Sequence, residues 1–417
     1  MVLDPGTRLL NLLYQHDYRS AERLLAQMLE HEPADGPTRA MRALCLAELE
    51  RWDEATAEAR RAVDTEPYLA FCHWALGMVL AGRRRWAEAA DAAREAMELE
   101  PENGDHYALL ARSFVGMRRW DDALAAAGQG LEEEPDHPGC ANLRALVLQQ
   151  RGRVDEAEQA FVDAAATDPE NAFARAGRGW TALRRGDALE PARAHFEHAL
   201  RIDPRNEWAR EGLMTSIKAR NPVYRLMLRY FLWMDGMSRG ARFGIVFAGL
   251  IGYNWARRIT DVRPETAPYL YPLMGLYLLF VLLTWVADPV FDFLLRFDPQ
   301  GRRMVSRERE VAGAVVVSLL SVAIVLAVAG LVRGGEDALF PALMTALLVL
   351  PVSGVFRCAP GWPRTALAVF TAAVAAAALA GMVMGGPAGG LLVGLALLGV
   401  LIGAWAAMGL ASVRPAR

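Results

Sequence analysis

The sequence predicts an all-α protein in two parts, an N-terminal helical solenoid followed by a six-helix transmembrane bundle. Three observations carry that expectation. Pro33, Pro67, Pro101, Pro135 and Pro169 recur every 34 residues, and Pro204 follows after 35; a fixed period of this length is the mark of stacked repeats. Trp52, Trp86 and Trp120 keep the same interval. Charge then disappears: residues 1–220 are dense in Arg, Glu and Asp, whereas residues 311–411 carry only Arg333, Glu336, Asp337, Arg357 and Arg364. A soluble domain joined to a membrane domain would show such a split.

The chain opens on "MVLDPGTRLLNLLYQHDYRSAERLL". Charges run throughout it, so it reads as an amphipathic helix pair and not as a secretory leader. The repeats are therefore expected in the cytoplasm, where Cys45, Cys72, Cys140 and Cys358 stay reduced; no CxxC or Cys/His spacing suggests a metal. Each unit should be two helices. In "RRRWAEAADAAREAMELEP", residues 83–101, Ala89, Ala93 and Ala96 supply close contact without loss of helix propensity. Pro101 stops the helix and fixes the turn into the next unit. Asp53, Glu54, Asp121 and Asp122 fall in the first turns of second helices, where the helix dipole favours acids. The tryptophan beside them is expected to pack the corner between the two helices.

These residues resemble the tetratricopeptide repeat (TPR) family. The matching positions are Leu76-Gly77, Ala89, Ala96 and Pro101, then Leu110-Ala111, Ala123 and Pro135. They continue with Ala145, Ala157, Phe161, Ala164 and Pro169, then Gly179, Ala192, Phe196, Ala199 and Pro204. The resemblance covers residues 2–218 as six units plus a closing helix from Asn206. The sequence departs in two ways: alanine stands where a late aromatic is expected in several second helices, and one residue is added near Asp187. The resemblance implies a concave surface that binds extended peptides or helices. Its central positions here are Leu44, Met78, Arg112, Leu146 and Trp180, again 34 apart, with Trp74 one turn before Met78. That surface is apolar with one basic residue. The Lys/Asn/Arg set with which some members hold chaperone C-terminal carboxylates is missing. Simple packing between superhelical turns, or against the chain's own membrane half, is the alternative use of these side chains. His195 and His198 share a helix face, but with no third ligand nearby they read as an exposed polar face.

Residues 219–242 change character. Tyr224, Arg225, Arg229, Tyr230 and Trp233 mix aromatic bodies with guanidinium groups, which suits a helix lying in the headgroup zone, and Pro222 suits its first turn. A transmembrane domain over 243–412 is expected next, with spans near 243–259, 267–287, 311–332, 338–356, 365–385 and 391–411. The first is short for the ~20 apolar residues a span needs. Charge bias nonetheless favours it: six Lys/Arg lie in 218–242, five arginines in 288–310, Arg357 and Arg364 after the fourth span, and Arg414 and Arg417 at the end. The opposite loops hold three, one and none. With six spans every heavy group is inside and both termini are cytoplasmic; Arg257, Arg258 and Arg263 run against the pattern. The 288–310 stretch reads as a second interfacial helix and a basic turn, and resembles a phrase of uncharacterised bacterial multi-pass membrane proteins.

No span interior holds an ionisable residue of the kind transport requires. Asp288, Asp292 and Asp298 are read as helix-edge residues facing solvent, Asn254 as interfacial. Gly381/Gly385, Gly390/Gly394 and Gly399/Gly403 have the small-xxx-small spacing that permits close helix contact, within the bundle or between copies. No Walker or dinucleotide loop, HExxH or GxSxG is present, and net charge of -3 gives no case for nucleic acid. The expectation is a non-enzymatic scaffold in a bacterial inner membrane, with no cofactor or metal, that recruits a protein partner. A channel or transporter regulated by its repeats is the alternative.

Overall fold

The computed structural model describes residues 4–186, 189–237, 239–334, 339–384 and 386–410. The expected insertion at Asp187, the residues Glu336, Asp337 and Gly385, and the terminal Arg414 and Arg417 lie outside them. All regular structure among the described residues is helical. Two compact units divide at Leu213/Met214.

The first unit is a solenoid of helix pairs. α1 (Pro5–Tyr14) and α2 (Tyr18–His31) form the first, α3 (Gly36–Glu48) and α4 (Trp52–Thr65) the second, α5 (Ala70–Gly82) and α6 (Trp86–Leu99) the third. α7 (Gly104–Gly116) with α8 (Trp120–Glu133), α9 (Pro138–Gln150) with α10 (Val154–Thr167), and α11 (Ala172–Arg185) with α12 (Leu189–Ile202) complete six, and α13 (Glu207–Lys218) follows. All six spaced prolines open the turn after a second helix.

A second 34-residue rhythm lies in the backbone. His16, Glu50, Arg84 and Arg118 have φ of 56°, 60°, 61° and 58°, and Gly152 and Gly186 continue at 75° and 79°. Each sits in the turn between the two helices of its unit, where the chain must reverse in three residues. Only glycine enters that region without steric cost. Helix starts alternate in chemistry. First helices other than α5 are capped by side-chain acceptors, among them Asp35 for the Thr38 N–H, Asn103 for the Asp105 N–H, and Asn171 for the Ala174 N–H. The second helices α4, α6, α8 and α10 begin after an arginine with no side-chain cap, and that arginine pairs with an acid one turn on, as in Arg85–Glu88 and Arg119–Asp122 at 2.5 and 2.7 Å. Trp86 packs against a cluster that includes Leu80 and Ala89 of its own unit, and both Trp52 and Trp86 reach beyond their units. They lie over Gly82 and Gly116, so each covers the first helix of the next unit. Alanine makes the core between neighbours, and Phe161 and Phe196 are fully buried against Gly177 and Gly212.

The second unit begins in the last turn of α13 and contains α14 (Pro222–Asp235), α15 (Arg239–Val262), α16 (Ala267–Leu295), α17 (Arg307–Arg333), α18 (Phe340–Arg357), α19 (Trp362–Met384) and α20 (Gly386–Leu410). Five helical stretches are long and apolar enough to cross a membrane: Pro264–Leu295, Arg307–Arg333, Phe340–Arg357, Trp362–Met384 and Gly386–Ala407. α15 has the length, with 24 residues, but is not among the five. The separate interfacial helix expected after residue 288 is absent, because α16 continues through Pro289 to Leu295. Proline removes the N–H that would bond the carbonyl four residues back. The Arg357 guanidinium donates to that carbonyl, Trp285 O, at 3.3 Å and lies 5.4 Å from the Trp285 ring centroid. Glycines let α19 and α20 touch: a Cβ on Gly381 would stand 2.8 Å from Gly389 O, and one on Gly389 2.6 Å from Gly381 O. Gly399 and Gly403 also pack inward, whereas Gly390 and Gly394 face open space.

Candidate partner-binding surface

The first helices of the units carry the 34-spaced positions along one face. Leu44 and Trp74 pack against the same buried alanines, and Trp74 stacks on Phe71 with centroids 5.7 Å apart. Met78 is half-buried, and its sulfur accepts from the Arg112 Nη2 at 2.8 Å, so consecutive positions of the row touch. Leu146 is half-buried beyond Arg112.

Arg112 is the electrostatic centre of this face. Burial pulls its guanidinium below the ordinary value because a charge loses solvation there. It makes no ion pair among the described residues, and its buried Nε has no hydrogen-bond partner. A cation held this way would gain from a carboxylate presented bidentately.

Trp180 is differently placed. Its indole N–H donates to Trp208 O at 3.2 Å, the two rings stack at 6.4 Å, and Phe196 meets it edge-on at 5.6 Å. Trp208 from α13 also lies 4.6 Å from the Phe173 ring. Trp180 thus belongs largely to the aromatic seal at the end of the solenoid. The sequence reading did not single out Trp208, although an indole just inside a closing helix is a sensible lid for an apolar end.

The aromatic-arginine helix α14 splits by face. Tyr224 is buried, edge-on to Phe291 at 4.8 Å, and its hydroxyl donates to Asp288 Oδ1 at 3.2 Å. Tyr230 meets Phe280 edge-on at 4.8 Å. Arg225 donates to Ala219 O at 3.0 Å, closing the end of α13. Arg229 and Trp233 are exposed. Of the three aspartates, exposed Asp288 keeps the helix edge expected of it, whereas Asp292 does not. Asp292 is 7% exposed and pairs with Lys218 Nζ at 2.5 Å; Asp288 lies 3.6 Å from the same ammonium. Asp298 accepts from the N–H groups of Gln300 and Gly301, each at 2.9 Å, and shapes the turn after α16. Lys218 itself is 5% exposed and 5.5 Å from the Tyr224 ring centroid. Lys218 and Asp292 stand 74 residues apart, and no local pattern joins them.

All four cysteines are free and buried, and burial pushes the Cys45 and Cys72 thiols up to about 11, away from thiolate chemistry. No group of three potential metal ligands occurs among the described residues.

Comparison with known proteins agrees on the repeats. Two tetratricopeptide repeat profiles match, one over residues 108–172 and 142–207, the other over residues 12–67. Residues 12–67 and 108–207 therefore match tetratricopeptide repeats, a repeat type that in general binds protein partners. No curated protein matches the chain. Among solved structures, PilW, described as a widely conserved type IV pilus biogenesis factor, is 19% identical with a TM-score of 0.43, over 50% of this chain and 96% of that one. PilF of Pseudomonas aeruginosa is 21% identical with a TM-score of 0.40, over 49% and 93%. YrrB, described as a TPR protein with an unusual peptide-binding site, is 22% identical with a TM-score of 0.33, over 44% and 95%.

Proposed function

We propose that this chain is a membrane-anchored scaffold whose repeats recruit a protein partner to the cytoplasmic face of a bacterial membrane. The observation that carries the reading is Arg112, a partly buried guanidinium without a carboxylate, set between Met78 and Leu146 on an otherwise apolar row. A partner segment that lays apolar side chains along Leu44, Trp74, Met78 and Leu146 and offers one acidic group to Arg112 would complete the site. Trp180 would bound the row rather than contribute its centre.

The anchoring part rests on the five apolar helices, with α15 as a sixth span chosen by the arginine bias of its flanks. Both termini are then cytoplasmic. Arg229 and Trp233, exposed on α14, would sit at the headgroups. The bundle holds the repeats at the bilayer and has no chemistry of its own.

Affinity purification of the full chain from detergent-solubilised membranes tests this. Arg112→Glu should remove co-purifying partners while the helical melting curve stays in place. An unchanged partner set with this variant would sink the groove assignment. Solute flux through vesicles holding the purified chain would move the reading to a channel or transporter.

A further inference from the structure

Arg144 and Leu146 stand two residues apart on α9, about 200° around the helix, so they face opposite sides of the solenoid. On the Arg144 side α8 and α10 flank α9 and leave a groove with two adjoining cavities of about 310 and 410 Å³. Leu131, Arg144, Leu148 and Glu156 line both. The matching groove one unit earlier, between α6 and α8 over α7, is filled. There Tyr107, Leu110 and Phe114 are buried, and the Arg94 guanidinium lies 5.9 Å from the Phe114 ring centroid. Thirty-four residues on, the same four positions are Ala141, Arg144, Leu148 and Gly128. A Cβ on Gly128 would meet nothing within 4 Å. Two rings and a guanidinium stem are missing at matching positions, while Pro135, Ala160 and Arg153 repeat Pro101, Ala126 and Arg119.

The rim is acidic. Five carboxylates line the two cavities against two guanidinium groups, and one of those, Arg153, is already paired with Glu156 at 2.5 Å. Asp136, Asp163 and Asp168 line the first cavity together with Arg144, whereas Arg153 lines only the second. The floor between them is apolar, with Leu131, Leu148 and Ala160.

We infer that this groove is a second docking surface, separate from the concave row, that takes a basic segment of a partner protein bearing one bulky apolar side chain. The apolar side chain takes the volume that Tyr107 and Phe114 fill in the preceding unit. Lysines or arginines beside it pair with Asp136, Asp163 and Asp168.

The test uses the full chain in zwitterionic-lipid nanodiscs and a fluorescent end-capped probe peptide, Lys-Lys-Ala-Phe-Ala-Lys-Lys, read by polarisation. The probe should bind, weaken as salt rises, and bind about tenfold less tightly, about 1.4 kcal/mol, to the triple variant Gly128→Arg, Ala141→Tyr, Leu148→Phe, which copies the filled groove. If that variant fails to fold, Asp136→Lys with Asp163→Lys should give the same loss. Arg112→Glu should leave this binding unchanged, which separates it from the concave site. Absence of binding, undiminished binding to either groove variant, or preference for the glutamate counterpart of the probe (an acidic segment drawn to Arg144) would overturn the inference.

Discussion

Phe161 lies over Gly177 and Phe196 over Gly212 in the repeat unit, whereas in the apolar unit Gly381 and Gly389 meet backbone to backbone. Both are helix contacts through glycine, but they belong to units of opposite surface character. The repeat unit hides its large apolar side chains: among the described residues before 214, only Leu10, Tyr14, Tyr68 and Leu99 are exposed. The apolar unit wears them outside, from Leu226 to Trp405. In water, burying a ring is itself the driving force. In the proposed membrane setting that force would be missing between helices, so close approach of small residues would supply the attraction.

That contrast can be broken first at its strongest points. Phe161→Ala should cost about 3–5 kcal/mol, seen as early urea unfolding of the repeats with the apolar unit's helical signal retained; retention of wild-type stability would mean Phe161 is not a driving contact. In the apolar unit the comparable loss comes from an ion pair. Lys218→Met should cost about 3–5 kcal/mol by leaving Asp292 buried and uncompensated, and adding Asp292→Leu should recover most of it. Thermal aggregation in detergent reads both. Gly389→Val, which drives a side chain into Gly381 O, should cost about 1–3 kcal/mol and the same substitution at Gly390 almost nothing. Arg84→Gly should stabilise the repeats by up to about 1 kcal/mol by relieving a left-handed turn, less the unfolded-chain entropy glycine adds.

The smallest effect is a pH slope. His106 is buried, which lowers its pKa from 6.5, so the folded repeats hold it neutral. The unfolded chain binds a proton there more readily, so stability is present above the ordinary value and falls as pH drops below about 6.5. His106→Gln should flatten the stability curve between pH 7 and pH 5; an unchanged slope would remove His106 as its source.

Much of the repeat unit was legible because its information is periodic. The prolines gave the phase of thirteen helices, and the same phase found Leu44, Met78 and Arg112 on one face. Trp180 kept the phase but left the row, since Trp208 covers it and nothing in the period announces a lid. The left-handed turns kept the interval with His, Glu, Arg and Gly in turn, so backbone geometry repeats where residue type does not. The apolar unit was legible only as a run of long apolar helices. The span expected to end near residue 287 instead runs on through Pro289 to Leu295, and Arg357 satisfies the carbonyl that the proline strands. Lys218 and Asp292 are separated by too much chain for any sequence period to connect them.

The Trp285 carbonyl has a consequence for biosynthesis. Its donor lies 72 residues downstream, so when α16 leaves the ribosome that oxygen has no protein ligand. Under the proposed anchoring, α16 would have to wait for α18 before this bond closes, so the two helices would settle as a pair rather than one after the other.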